Sequence, residues 1–291
     1  MDLTQQHAAG IEYLGMVTDL LQRSRLALPY GGVWEAADLQ WAWRKDQHPD
    51  PAMATFWIDE SERAIGGAVI TDWGEHLGCD LIVHPGAREL LSTMWPNLLE
   101  GLAHLPGRAC EMSLRDDDGV AIGLASEAGF VAVGATYVSN WLDATNRPPV
   151  TDVATGYRLR SRAEAHDRPH HMIPRNGEHV ERHLRECSLY DPSLDLFIEA
   201  PDGSVAAYGL FWPDLVTGVG LIEPMRTEDA HQGHGLARHI LTAGIEGLAR
   251  AGCERMKITY VDDNPVSEHV YLSSGFRPGD TARTYRRPGA A

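Results

Sequence analysis

The chain has 291 residues, 43% of them hydrophobic and 23% charged, and a formal net charge of −16. Its length leaves room for two domains at roughly 100–200 residues each, and no run approaches the ~18 apolar residues of a membrane span. Its 25 basic against 41 acidic residues speak against a protein that works by neutralising nucleic-acid phosphates, and four scattered cysteines without a CxxC pair speak against a disulfide framework or zinc ribbon.

The N-terminus, MDLTQQHAAGIEYL, has no basic start followed by an apolar stretch, so no signal peptide is read there. With the cysteine pattern, this predicts a cytoplasmic protein. Thr55–Asp59 reads as a strand, Glu60–Arg63 as a turn and Ala64–Trp73 as the returning strand. Trp34, Trp41, Trp43, Trp57 and Trp73 are expected mostly in a core. Residues 1–150 carry 9 basic and 21 acidic residues, net −12, against net −4 for residues 151–291. That asymmetry suits either solubility or a cationic small molecule. Ala144–Gly156 is polar and contains Pro148-Pro149. It predicts a linker at 147–156, between domains at 1–146 and 157–291.

Past the linker, His166, His170, His171, His179 and His183 form a histidine-rich stretch. His179 and His183 have the i, i+4 spacing of helical ligands, but no Glu follows His179 and no third ligand is evident, so no metal is expected. Leu194–Ala200, a Pro201-Asp202-Gly203 turn and Val205–Trp212 repeat the earlier hairpin about 140 positions on. Val219–Thr227 reads as a strand with Pro224 at an edge or bulge, because proline cannot donate to a ladder. Leu236, Ile240, Leu241, Ile245 and Leu248 recur at helical spacing, with Gly252 placed to cap the end. Met256–Val261 alternates as a strand. Asp262-Asp263 with Gly275-Phe276 parallels Asp116-Asp117 with Gly129-Phe130 at an offset of 146. A slowly growing offset is the mark of a duplicated domain with small insertions.

The turn Gln232-Gly233-His234-Gly235-Leu236-Ala237 opens the helix. Glycines there aim backbone N–H groups outward at the positive end of the helix dipole, a nest for a pyrophosphate. GxxxxGK[ST] is absent, and Arg238 stands where a GxGxxG loop needs its third glycine. This is neither a Walker loop nor a Rossmann turn.

Strand, Q-G-H-G-L-A, helix, strand, then D-D-N-P-V-S-E-H-V-Y-L-S-S-G-F resembles the GNAT superfamily of acyl-CoA N-acyltransferases. Gln232 to Ala237 satisfies that family's Q/R-x-x-G-x-G/A loop, and Asn264, Tyr271, Gly275 and Phe276 match its late motif. The resemblance covers about 120 residues of the second half well and the first half in outline. It implies an α/β (α+β) fold of two tandem domains, each a mixed, mostly antiparallel sheet flanked by helices. It implies that acetyl-CoA is the co-substrate, with no metal. Met225, Arg226 and Thr227 would pair through their backbone with pantetheine. Gln232, Gly233, His234, Gly235, Leu236 and Ala237 would hold the pyrophosphate, and Asn264 would contact the pantetheine. Tyr271 would protonate the leaving thiolate, and Glu223 would accept the amine proton directly or through water. The stretch Arg158–Gly177 would be a mobile approach to the acceptor cleft.

At the matching place the first half has Arg88-Glu89-Leu90-Leu91, with Asp118 for Asn264 and Ala125 for Tyr271. A carboxylate where a pyrophosphate should lie is unfavourable. The first domain is therefore expected to be degenerate, supporting the fold and walling the acceptor site. The function expected is N-acetylation of a small, cationic amine, with an aminoglycoside-type antibiotic as candidate. The alternatives are a mycothiol-synthase-like enzyme and a non-catalytic acyl-CoA-binding module. Nucleic-acid and membrane partners are not expected, and monomer and homodimer stay open.

Overall fold

The computed structural model describes residues 3–45, 53–105 and 107–289. The chain divides into two compact units: Met1–Ala42, Asp46–Tyr137 and Asp280–Ala291 form the first, Trp43–Lys45 and Val138–Gly279 the second. The proline-rich stretch 147–156 thus lies inside the second unit. His239 Nδ1 lies 2.6 Å from the Thr151 carbonyl, and the Thr151 N–H donates to Thr242 Oγ1. Composition marks where a chain is polar, whereas the units are marked by what it packs against.

The first unit contains β1 (Thr4–His7), α1 (Gly10–Ala27), α2 (Ala36–Ala42), β2 (Ala54–Ile58), β3 (Ala64–Asp72), β4 (His76–Val83), α3 (Leu91–Ala103), β5 (Ala109–Arg115) and α4 (Gly119–Glu127). β6 (Val131–Asp143) begins in it, and β12 (Arg277–Arg287) ends in it. Its strand order is β1-β2-β3-β4-β5-β12. β4 and β5 are parallel, over His76–Gly78 against Ala109–Glu111, and the other pairs are antiparallel. Trp57, Leu77, Met94, Leu98 and Phe130 form the centre of its core. Of the five tryptophans expected in a core, Trp41 and Trp57 are buried, Trp73 is exposed, Trp34 lines a cavity, and Trp43 belongs to the other unit.

The second unit contains the end of β6, β7 (Arg158–Ser161), α5 (Ile173–Asn176), α6 (Val180–Glu186), β8 (Asp195–Glu199), β9 (Val205–Asp214), β10 (Val219–Thr227), α7 (Leu236–Ala251), β11 (Arg255–Val261) and α8 (Pro265–Ser273). Its strand order is β6-β11-β10-β9-β8-β7. β10 and β11 are parallel, while β7–β8, β8–β9 and β9–β10 are antiparallel. On α7, Leu236, Ile240, Leu241, Ile245 and Leu248 are all buried, each contributing roughly 1.5–3 kcal/mol on burial. Gly252, with φ of 109°, ends the helix. Gly244 lets α7 approach β9 closely, since a Cβ there would stand 2.0 Å from the Phe211 ring.

The repeat is visible element by element. β3 and β9 start 141 positions apart, β4 and β10 start 143 apart, α3 and α7 145, and β5 and β11 146. Asp118 caps α4 by accepting the Ala121 N–H, as Asn264 caps α8 by accepting from Ser267. Gly129 and Gly275 both take positive φ just past those helices, and the Phe130 and Phe276 N–H groups return to Ala125 and Tyr271 carbonyls. No described helix is long and apolar enough to cross a membrane, and all four cysteines are buried, free thiols.

Candidate active site

β10 pairs with β11 only over Val219–Leu221 against Arg255–Lys257. It stays paired with β9 as far as Thr227, with a register shift between Ile222 and Met225. The shift is the bulge expected at Pro224: Glu223 and Pro224 together stand opposite the single residue Leu210, and Pro224 has no N–H to lose. The Trp212 indole donates to the Glu223 carbonyl at 2.7 Å and pins the bulge. Beyond Leu221 the β11-facing edge of β10 is therefore open. A ligand amide can pair there with the backbone of Met225–Thr227. Thr227 Oγ1 is buried, with no hydrogen-bond partner among the described residues.

Past β10, Gly233 and Gly235 take φ of 80° and 72°, and α7 starts at Leu236. No side chain caps its first N–H groups, and a Cβ on either glycine would meet nothing within 4 Å. The turn thus offers uncapped amides on an open face at a helix N-terminus, the arrangement that receives a phosphate. Gln232 Nε2 donates to Asp229 Oδ1 at 3.2 Å. His234 Nδ1 lies 3.0 Å from the Gln232 carbonyl, and His231 Nδ1 lies 3.1 Å from the Tyr157 hydroxyl. Both rings brace the loop. Arg226 pairs with Glu228, which also binds Arg175. The Asn264 carbonyl is used by the α8 cap, which leaves its NH₂ group for a ligand.

The two residues singled out for chemistry lie within electrostatic reach of each other. Burial pushes the Glu223 carboxyl above its ordinary range, while Arg44 and Lys257 nearby pull it back. Burial pushes the Tyr271 phenol up to about 12, with Glu223 adding to the rise and a hydrogen bond from Ser267 opposing it. Tyr271 packs between Tyr260 and Phe276 at 6.3 and 6.4 Å.

Arg44 and Lys257 were not evident as site residues. Arg44 comes from Trp43–Lys45, far from Glu223 in the chain, and reaches the second unit because Trp43 donates to Glu186 and meets the His183 ring edge-on. Arg44 Nε donates to Asn176 at 2.9 Å. Burial lowers its guanidinium to about 10, with Glu223 and Tyr208 opposing. Lys257 is 1% exposed on β11, 5.7 Å from the Trp141 ring. Its place in an alternating strand gave no sign of burial.

The histidine stretch resolves differently from its spacing. His183 pairs with Glu186, and His179 precedes α6. His170 and His171 converge instead on the buried Asp195, their candidate ligand atoms all within 4.8 Å of one another. His170 Nδ1 accepts the Met172 N–H, so neutral His170 carries its hydrogen on Nε2 and donates it to Asp195 at 2.9 Å. Tyr190 donates to the same oxygen at 2.8 Å. Burial alone would raise the Asp195 pKa, but the two histidines hold it well below the usual range. The cluster carries His171 against Phe197 and Tyr208, with ring centroids 5.0 and 5.5 Å apart.

In the first unit the matching turn is a 3-10 helix, Pro85–Leu90, and Arg88 Nη2 donates to both carboxylate oxygens of Asp118, 2.6 Å to each.

Residues 157–276 match the family described as Acetyltransferase (GNAT) family. Among solved structures, a tandem GNAT protein from the clavulanic acid biosynthesis pathway is 18% identical, with a TM-score of 0.68 over 100% of this chain and 99% of that one. A GCN5-related N-acetyltransferase from Sphaerobacter thermophilus is 17% identical, with a TM-score of 0.63 over 99% of this chain and 97% of that one. Saccharomyces cerevisiae N-myristoyltransferase with bound myristoyl-CoA is 12% identical, with a TM-score of 0.55 over 98% and 78%. Among curated proteins no sequence match was found. Residues 157–276 are a GNAT acetyltransferase domain, and the two-unit fold of the chain is that of tandem GNAT proteins.

Proposed function

We propose that the second unit transfers an acetyl group from acetyl-CoA to the amine of a small molecule, and that the first unit carries no such site. What carries this reading is the conjunction of an open β10 edge, an uncapped glycine nest at α7, and Glu223 and Tyr271 within electrostatic reach of each other. Acetyl-CoA would supply a thioester carbonyl and a thiolate leaving group. The chain would hold it through the backbone of Met225, Arg226 and Thr227, the turn from Gln232 through Gly233, His234, Gly235 and Leu236 to Ala237, and Asn264. Glu223, with a raised pKa, takes a proton from the acceptor ammonium directly or through water. Tyr271 holds a proton at Oη for the departing sulfur. The two are linked. The ionised carboxylate is one reason the phenol is a weak acid, so neutralising Glu223 makes Tyr271 a readier donor.

The test is release of free thiol from acetyl-CoA across a panel of amines, with a 42 Da gain in the acceptor by mass spectrometry. Saturable acetyl-CoA binding with no turnover on any amine would identify a binding module instead.

For the acceptor we favour a cationic molecule, an aminoglycoside-type compound being the candidate, because residues 1–150 carry a net charge of −12 and acetyl-CoA is itself anionic. Steering by that charge predicts that kcat/KM falls between about 10 and 150 mM salt, where the screening length shrinks to about 8 Å. Indifference to salt would move a mycothiol-synthase-like acceptor ahead.

A further inference from the structure

The first unit lacks the phosphate nest, yet it holds a cavity of about 540 Å³. That volume lies within the range of small-molecule sites. The cavity opens where β4 and β5 separate beyond Gly78 and Glu111. Leu21, Leu91, Trp95 and Met112 give it apolar walls, and Asp80 and Trp34 give it a polar end.

The charges in its lining are unequal in one respect. Arg25 is bound by Glu35, Arg88 by Asp118, and Arg115 by Asp117 and Asp280. Each of these cations already has its anion. Asp80 accepts one hydrogen bond, from Trp34 Nε1 at 3.1 Å, and among the described residues no cation pairs with it. Burial raises its carboxyl to about 7, with only the Trp34 bond opposing. A buried anion without a counter-charge is costly.

We propose that this cavity is a ligand site in its own right, built for a small primary amine with an apolar body, whose ammonium group supplies the counter-charge that Asp80 lacks. The ammonium donates to the Asp80 oxygen that Trp34 leaves free, and the hydrocarbon body lies against Leu21, Leu91, Trp95 and Met112. An acyl-CoA is a poor fit. Its phosphates would meet the closed Arg88–Asp118 pair, and Asp80 would repel any anion.

The experiment uses the full chain labelled with 5-fluorotryptophan, the Trp34 resonance being assigned with Trp34→Phe, and follows that signal by fluorine NMR. The probes are hexylamine and its uncharged counterpart hexan-1-ol. The Trp34 resonance should shift saturably with hexylamine, with affinity at least tenfold above that for hexan-1-ol. Asp80→Asn should abolish the difference, and Glu223→Gln, in the other unit, should leave it intact. An unmoved Trp34 signal, equal affinity for amine and alcohol, or undiminished amine binding by Asp80→Asn would overturn the proposal. Should Asp80→Asn fail to fold, the comparison of amine with alcohol on the unaltered chain decides.

Discussion

Asp80 and Glu223 occupy the same place in the two units, 143 positions apart, each two residues beyond the last rung of its unit's parallel ladder. Both carboxyls are raised by burial. They differ in company. Glu223 has Arg44 and Lys257 near it and sits in a bulge, whereas Asp80 accepts from the Trp34 indole and pairs with no cation among the described residues, on a strand whose pairing with β3 runs without a break. The duplication has kept the acid at the cleft and changed what it faces.

One acetyl-CoA should bind per chain, in the second unit. Gly235→Glu should abolish binding, because it forces a side chain onto a residue with φ of 72° and puts a negative charge in the phosphate nest. Calorimetric titration reads both results. Two equivalent sites would be incompatible with this assignment.

Tyr271→Phe should lower kcat by roughly 10²–10⁴-fold with little change in acetyl-CoA affinity. Steady-state rates with a good acceptor, set beside a direct binding measurement, separate the effects. An unchanged kcat would leave the tyrosine a packing role between Tyr260 and Phe276.

Glu223→Gln should produce a loss of similar size, about 10²–10⁴-fold, and a changed pH profile. Only the ionised carboxylate accepts a proton, so kcat/KM should rise with pH through the raised pKa of Glu223. That limb should lie above the ordinary carboxylate range and vanish in Glu223→Gln, while any limb set by the acceptor's own pKa persists. A profile identical in the two proteins would remove Glu223 from the proton path.

Asp80→Asn should stabilise the protein at pH 8 and not at pH 4. The carboxyl titrates near 3.8 when unfolded and about 7 when folded. Between those values the native state binds more protons, so stability falls as pH rises through the window. Removing the ionisable group removes that loss. Thermal melts of the two proteins at both pH values give the comparison, and a lower melting temperature for the variant at pH 8 would contradict it.

Gly244→Ala should destabilise the second unit by about 1–3 kcal/mol, because the added methyl overpacks a dense core. The Phe211 ring it meets is fully buried. Denaturant unfolding measures the change. A loss below about 0.5 kcal/mol would mean that α7 can shift away from β9.

Local patterns carried much of this protein. The hairpins, the Val219–Thr227 strand, the helix from Leu236, its Gly252 cap and the duplication all follow from periodicity and turn chemistry, which act over a few residues. The bulge followed from one proline, and the nest from two glycines and a helix start. Tertiary structure decided what depends on distant partners. Besides the short excursion at Trp43–Lys45, the chain passes between units at Tyr137 and Gly279, inside β6 and β12, because packing and not composition defines a unit. The histidines chose Asp195, which no spacing between them could indicate. Arg44 arrives beside Glu223 only because Trp43 is anchored on α6. The charge state of a carboxyl such as Asp80 or Glu223 is set by desolvation and by neighbours that folding brings in, so the residue type alone leaves it open.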